Sequence, residues 1–144
     1  MSNHIEFTLN LNPERDCDLR FEGIFDHLDA KYDKFILSVE EGEKGGKEHF
    51  HMYINDDQQP KNFKKSFCNK FNLTDATKLE AKVGKVKWVD NWVGYICKNG
   101  SYRSKGLCKD WILKCKDSFT IRKDKAAFKT SSRQTFLYHI SKNY

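Results

Sequence analysis

Two β-forming runs, Lys34 to Glu40 and Glu48 to Asn55, are separated by Gly42 to Gly46, with Gly45-Gly46 the clearest turn punctuation. Such a pair predicts a hairpin, and a hairpin in mid-chain limits what its flanks can become. Upstream, Ile5 to Leu11 alternates β-formers with polar residues and predicts a strand, ended by Asn12-Pro13. Between that strand and the hairpin, Leu19, Phe21, Ile24, Phe25 and Leu28 recur at roughly helical spacing, and Asp16 or Asp18 can cap the helix they imply. Downstream, Pro60 fits the first turn of a helix containing Phe63, Phe67 and Phe71. Thr77 to Val83 alternates again and predicts a fourth strand, broken by Gly84. Val86 to Lys98 predicts a helix with Val89, Trp92, Val93 and Ile96 on its apolar side, closed by Asn99-Gly100. The order is β-α-β-β-α-β-α. It predicts an α+β domain with an antiparallel central sheet of the split βαβ (ferredoxin-like or RRM-like) type and flanking helices.

Beyond Gly100 the pattern weakens. Leu107 to Cys115 reads as either strand or short helix, Lys123 to Arg133 is polar and basic, and Phe136 to Ile140 predicts a docking C-terminal helix. A length of 144 residues fits one domain with its own core. Residues 1–100 are predicted to form that core, with 101–144 an extension packing on it or trailing it. The cysteines Cys17, Cys68, Cys97, Cys108 and Cys115 are scattered, and without a Cys-x-x-Cys pair no zinc knuckle or thiol redox site is predicted. Free thiols suit a reducing compartment. No apolar signal segment opens the chain and no run is apolar enough to span a bilayer, so no membrane partner is expected.

Three features carry chemistry. His49 and His51 flank Phe50 in a predicted strand, so both imidazoles share a face and can hold one divalent ion. Across the hairpin turn stand Glu40 and Glu41, one of which must face the same side. Glu41 is the expected ligand and Glu40, with Glu43, the expected solvated turn. Mixed nitrogen and oxygen ligation with open positions suits Mg2+ or Mn2+ bridging to a phosphate oxygen. Tyr95 and Lys98 are three apart on a predicted helix and share a face. A phenol is a weak nucleophile near neutrality, its ordinary pKa being about 10. A metal polarising a phosphate, or a cation such as Lys98 beside the developing charge, makes its attack feasible. The bland alternatives are a surface His-x-His pair and an amphipathic helix with a half-buried Tyr.

Taken together, Phe7-Thr8-Leu9-Asn10, then Glu40-Glu41-Gly42 ahead of His49-Phe50-His51, then Tyr95-Ile96-Cys97-Lys98 resemble, in order, the three motifs of the HUH endonucleases. The nearest likeness is to the nuclease domain of replication initiators (Rep) of eukaryotic viruses with circular single-stranded DNA. The resemblance covers about residues 5 to 100. It implies an HUH endonuclease fold, a Mn2+ or Mg2+ ion held by Glu41, His49 and His51, and Tyr95 as nucleophile with Lys98 stabilising charge. The implied activity is nicking and rejoining of single-stranded DNA at an origin stem-loop through a 5′-phosphotyrosine link, initiating rolling-circle replication. The implied setting is a host nucleus, or the cytosol for a plasmid or mobile element. Many circovirus-like relatives carry Gln at the second histidine, whereas this chain keeps both. Full-length relatives carry a helicase domain with a phosphate-binding loop. No Gly-x-x-x-x-Gly-Lys-Ser/Thr occurs here, so the sequence reads either as the N-terminal part of a longer protein, whose helicase domain would supply self-association, or as a small protein that relies on another helicase.

Lys and Arg number 26 against 20 acids, a net +6, and 14% of residues are aromatic, which fits a polyanionic partner whose bases can stack. Phe7, Thr8 and Asn10 are expected near DNA through the first motif, with the core as an equal alternative for Phe7. Lys61, Lys64, Lys65, Lys82, Lys85 and Lys87 could line a phosphate track, with ordinary solvation as the alternative. His4, His27 and His139 fit no ligand pattern. A second class remains open: a non-catalytic RNA-binding module, whose split βαβ sheet would stack bases on Phe7, Phe35, Phe50 or Tyr53 and need no metal. A third option is a degenerate nuclease that only binds DNA, against which stand the intact Tyr95 and both histidines.

Overall fold

The computed structural model describes residues 2–11, 19–41 and 48–130, with side chains described for all of these except residues 41 and 124–130. The predicted caps Asp16 and Asp18, the Gly42 to Gly46 turn, His139 and the Phe136 to Ile140 helix lie outside the described residues. The elements are β1 (Asn3–Asn10), α1 (Phe21–Lys31), β2 (Phe35–Glu41), β3 (Glu48–Asp56), α2 (Pro60–Lys70), α3 (Asp75–Glu80), β4 (Lys82–Lys85), α4 (Val89–Cys97), β5 (Tyr102–Lys105) and α5 (Lys109–Thr130). The five strands form one sheet in the order β4-β1-β3-β2-β5, and every neighbouring pair is antiparallel. The first four strands thus have the order expected of a split βαβ sheet, and β5 extends it beyond β2.

Strand alternation sends successive side chains to opposite faces, and this chain buries both. On one face Ile5, Phe7 and Leu9 of β1 join Phe35, Leu37, Phe50, Met52 and Ile54. Ile24 and Leu28 of α1 and Phe63 and Phe67 of α2 cover them. The aromatic spacing read from the sequence of α2 therefore marks its core stripe. On the other face Ile36 and Tyr53 pack beneath Val93, Ile96 and Cys97 of α4 and Ile112 and Cys115 of α5. Phe50 to Ile54 are consequently all buried, because β3 is central and covered on both sides.

Three segments depart from expectation. Thr77 to Val83 is not one strand: α3 occupies its first part and β4 its end. Local capping outweighs the alternation, since the Thr74 hydroxyl accepts from the Thr77 backbone N–H at 3.3 Å, and the apolar Leu79 is left 85% exposed. Gly84 does not break the strand but sits inside it, opposite Glu6. Helix α4 begins at Val89, not Val86, because the Val86 N–H donates to the His4 carbonyl and prolongs the β1–β4 ladder. Strand β5 was not expected. It is bounded by Gly100 and Gly106, both with positive φ. At Gly106 a Cβ would lie 2.0 Å from the Asp33 carbonyl oxygen, so only glycine lets the chain pass there. Of the Leu107 to Cys115 stretch, Lys109 to Cys115 is helix, the start of the 22-residue α5, and Leu107 and Cys108 precede it.

Candidate functional site

Hairpin register decides which side chains can meet. Glu40 pairs with His49 and Ser38 with His51 across β2 and β3. On the other side of β3, Asn10 pairs with His49 and Thr8 with His51. These six positions therefore share one face of the sheet, the face under α4. Two hydrogen bonds fasten α4 there: Ser38 Oγ donates to the Ile96 carbonyl at 2.5 Å and Trp92 Nε1 donates to the Met52 carbonyl at 3.0 Å. The helix is thereby held with Trp92, Tyr95 and Lys98 beside the end of the sheet that carries the histidines.

His51 stands at the centre. Its Nδ1 lies 3.1 Å from Thr8 Oγ1 and its Nε2 lies 3.3 Å from Glu40 Oε2. Its ring meets the Tyr95 ring edge-on, with centroids 5.5 Å apart, and Trp92 in the same manner at 5.8 Å. Lys98 Nζ donates to Glu40 Oε2 and to the Tyr95 carbonyl, each at 3.3 Å, and sits 3.9 Å from the centre of the Tyr95 ring. His49 Nδ1 is hydrogen-bonded to Asn10 Oδ1. Thr8 and Asn10 of β1, bonded to Nδ1 of His51 and His49, fix both imidazole rings.

The charges interlock. Burial raises the Glu40 carboxyl, but Lys98 and then His51 outweigh it and hold its pKa below the usual range. Burial lowers His51, with Lys98 and His49 acting the same way and Glu40 opposing them. Burial and then the Glu40 charge raise the Tyr95 phenol above its ordinary value. Tyr95 is accordingly a protonated phenol near neutrality, one that becomes a nucleophile only when positive charge outweighs Glu40 beside it.

Tyr95, Lys98 and His51 thus come together. The carboxylate that reaches them belongs to Glu40. Glu41 pairs with Glu48, one residue out of step with the two histidines, and its side chain lies outside the described residues. His49 stands one alternation further along β3 than His51. Glu40 Oε2 and His51 Nε2 converge closely enough to share one cation, and carboxylate plus imidazole is a donor set suited to Mn2+ or Mg2+. Among the described residues, no three His, Cys, Asp or Glu side chains gather into a metal group. The fit is therefore a two-donor nucleus of Glu40 and His51, with His49 on the same face of β3 and bonded to Asn10.

The remaining expected contacts divide by face. Thr8 and Asn10 hold the two imidazoles. Phe7 is wholly buried against Phe63 and Phe67, at 5.3 and 5.2 Å, on the opposite face. It is a core residue and presents no surface to DNA. Lys61, Lys64 and Lys65, with Lys78, line a hollow of about 210 Å³ on α2 and α3, across the sheet from Tyr95. Lys64 is already committed to the Ala81 carbonyl at 2.8 Å. Lys85 is exposed at the end of β4, and Lys87 lies against the Trp88 ring. Phe7, Phe35, Phe50 and Tyr53, the aromatics a base-stacking sheet would need, are each at most 1% exposed. The sheet surface an RNA-binding module uses is filled here by helices. Three residues at this cluster are not expected there from sequence: Ser38 is not singled out, Trp92 reads only as part of an apolar helix face, and Glu40 reads as a solvated turn. Glu40 follows from sequence only once the loop is known to hold an even number of residues, since that register puts even-numbered β2 residues opposite odd-numbered β3 residues. No helix among the described residues is long and apolar enough to cross a membrane. No protein-family model and no curated protein matches the chain.

Proposed function

We propose that this protein is a metal-dependent single-stranded DNA nicking and joining enzyme of the HUH replication-initiator type. The observation that carries the reading is the meeting of Tyr95, Lys98, Glu40 and His51, drawn from three separate elements, around one phenol. Glu40 and His51, with His49 beside them, would hold a Mn2+ or Mg2+ ion, which when bound supplies Lewis-acid polarisation of a phosphate oxygen.

The residues of the chain do the rest. Thr8 and Asn10 orient the imidazoles. Tyr95 attacks the scissile phosphorus in line: its phenol gives up a proton, the tyrosyl oxygen–phosphorus bond forms and the bond to the 3′ oxygen breaks. The released 3′ oxygen takes up a proton and is free to prime synthesis. Lys98, over the Tyr95 ring, offsets the negative charge that Glu40 imposes on the phenol and so favours the phenolate. Attack by a 3′-hydroxyl on the phosphotyrosine reverses the sequence and rejoins the strand. The substrate is an unpaired segment of an origin stem-loop.

The test is a pool of labelled stem-loops with varied loop sequences, incubated with Mn2+ and separated on a denaturing gel. A slowed band that requires metal and is absent for Tyr95→Phe is expected. A complete lack of adduct, with nucleic acid still retained in chelator, would overturn the proposal.

A further inference from the structure

Trp88 stands apart from the other two tryptophans. Trp92 and Trp111 pack against the second core, whereas Trp88, immediately before α4, is 68% exposed. It lines a hollow of about 610 Å³ with Lys87, Val89, Asp90, Asn91 and Arg122. Lys87 Nζ lies 5.8 Å from the Trp88 ring centre, within the range of a cation–π contact. Neither Lys87 nor Arg122 forms an ion pair among the described residues. The Asp90 carboxylate on the wall is 3.8 Å from Cys115 Sγ.

Position along the helix adds direction. Trp88, Trp92 and Tyr95 are spaced i, i+4 and i+7, which places them along one side of α4. The rings of Trp92 and Tyr95 are 5.6 Å apart. Trp88 is two helical turns from Tyr95, about 10 Å along the axis, a span that a stretched strand covers in a few nucleotides.

We propose that Trp88 is a base-stacking platform for single-stranded DNA a few nucleotides from the scissile phosphate, with Lys87 and Arg122 taking the adjoining phosphates and the Asn91 amide facing the base edge. An exposed indole flanked by two cations that form no ion pair among the described residues matches a π-faced, anionic polymer and nothing purely apolar. Stacking on an indole is tolerant of base identity, so the subsite grips the strand without reading its sequence. The proposal rests on the nuclease reading for the identity of the strand, and binding without metal tests it separately.

The probe is a fluorescein-labelled oligothymidylate of about twelve nucleotides, followed by anisotropy at low salt in chelator. Loss of a stacked base typically weakens binding about fivefold to a hundredfold, and that is expected for Trp88→Ala and equally for Trp88→Leu, which keeps bulk but no π-face. Trp88→Phe should bind close to the parent. Unchanged circular dichroism and melting would show that the variants fold. Trp88-dependent binding without any adduct from the stem-loop pool would support the subsite while removing the nuclease reading. Affinity for the oligothymidylate that Trp88→Leu changes less than twofold would overturn the subsite even if adducts form. A parent dimer that Trp88→Leu converts to monomer in sedimentation would also overturn it, by assigning the surface to a second copy.

Discussion

Glu40 and Glu41 are adjacent, identical and charged, yet one of them is tied into the site by hydrogen bonds to His51 and Lys98. The consequence is measurable by paired substitution. Glu40→Gln should lower metal-dependent adduct formation by at least about 100-fold, since loss of even an outer partner of a metal ligand commonly costs about 10–100-fold. Glu41→Gln should stay within a few-fold of the parent. Equal loss in both variants would return the ligand role to Glu41. A second residue-scale effect lies far from the site. The His27 ring packs edge-on against Phe67 and Phe71, at 6.1 and 5.3 Å. Burial, then Lys31 and Lys70, lower its pKa from 6.5. As pH falls the unfolded chain binds this proton first, so stability declines from about pH 6.5 downward until the folded imidazole is itself protonated. Urea melts at about pH 7.5 and about pH 5 should show a smaller drop for His27→Phe than for the parent. An identical drop would remove His27 from the account.

Among the elements, α4 depends most closely on its neighbour. A Cβ at Gly94 would lie 2.4 Å from the Cys115 carbonyl oxygen and 2.6 Å from Phe119 Cβ. Alanine would gain about 1 kcal/mol of helix propensity, but backbone cannot yield as a side-chain tip does. Gly94→Ala is expected to destabilise by about 1–3 kcal/mol in urea denaturation and to depress adduct formation, because Tyr95 is the next residue. A variant as stable as the parent would show that α4 and α5 can separate without cost. The elements also explain what could be read in advance. β1, the hairpin strands, α2 and most of α4 were legible because Ile5, Phe7 and Leu9, or Phe63 and Phe67, repeat at the period of the element that buries them. The Thr77 segment misled because its alternation coincides with a hydroxyl cap at Thr74. β5 was illegible: Tyr102 to Lys105 is polar and short, and only its pairing with β2 makes it a strand. In the site, residue types were legible, but choosing between Glu40 and Glu41 needed a register that sequence leaves to a one-residue choice.

Across the whole molecule, residues 102–130 are not an accessory. β5 closes the β2 side of the sheet, and Ile112 and Cys115 of α5 complete the core over Ile36 and Tyr53. A chain ended at Gly100 would expose that apolar face and loosen the helix bearing Tyr95. It is expected to lose its cooperative melt and to bind a hydrophobic dye. A sharp two-state transition in the shortened chain would show that the first hundred residues fold alone. The sheet also ends in a particular way. β4 and β5 are its two margins, each only four residues long. β4 carries Lys82 and Lys85, and β5 carries Arg103 and Lys105, which reach back to Glu22 and Asp29 of α1. A foreign strand seeking to add itself finds little backbone to zip onto and charge where it would need a flat apolar ribbon. Copies of this protein brought to high local concentration are thereby protected from knitting into fibrils.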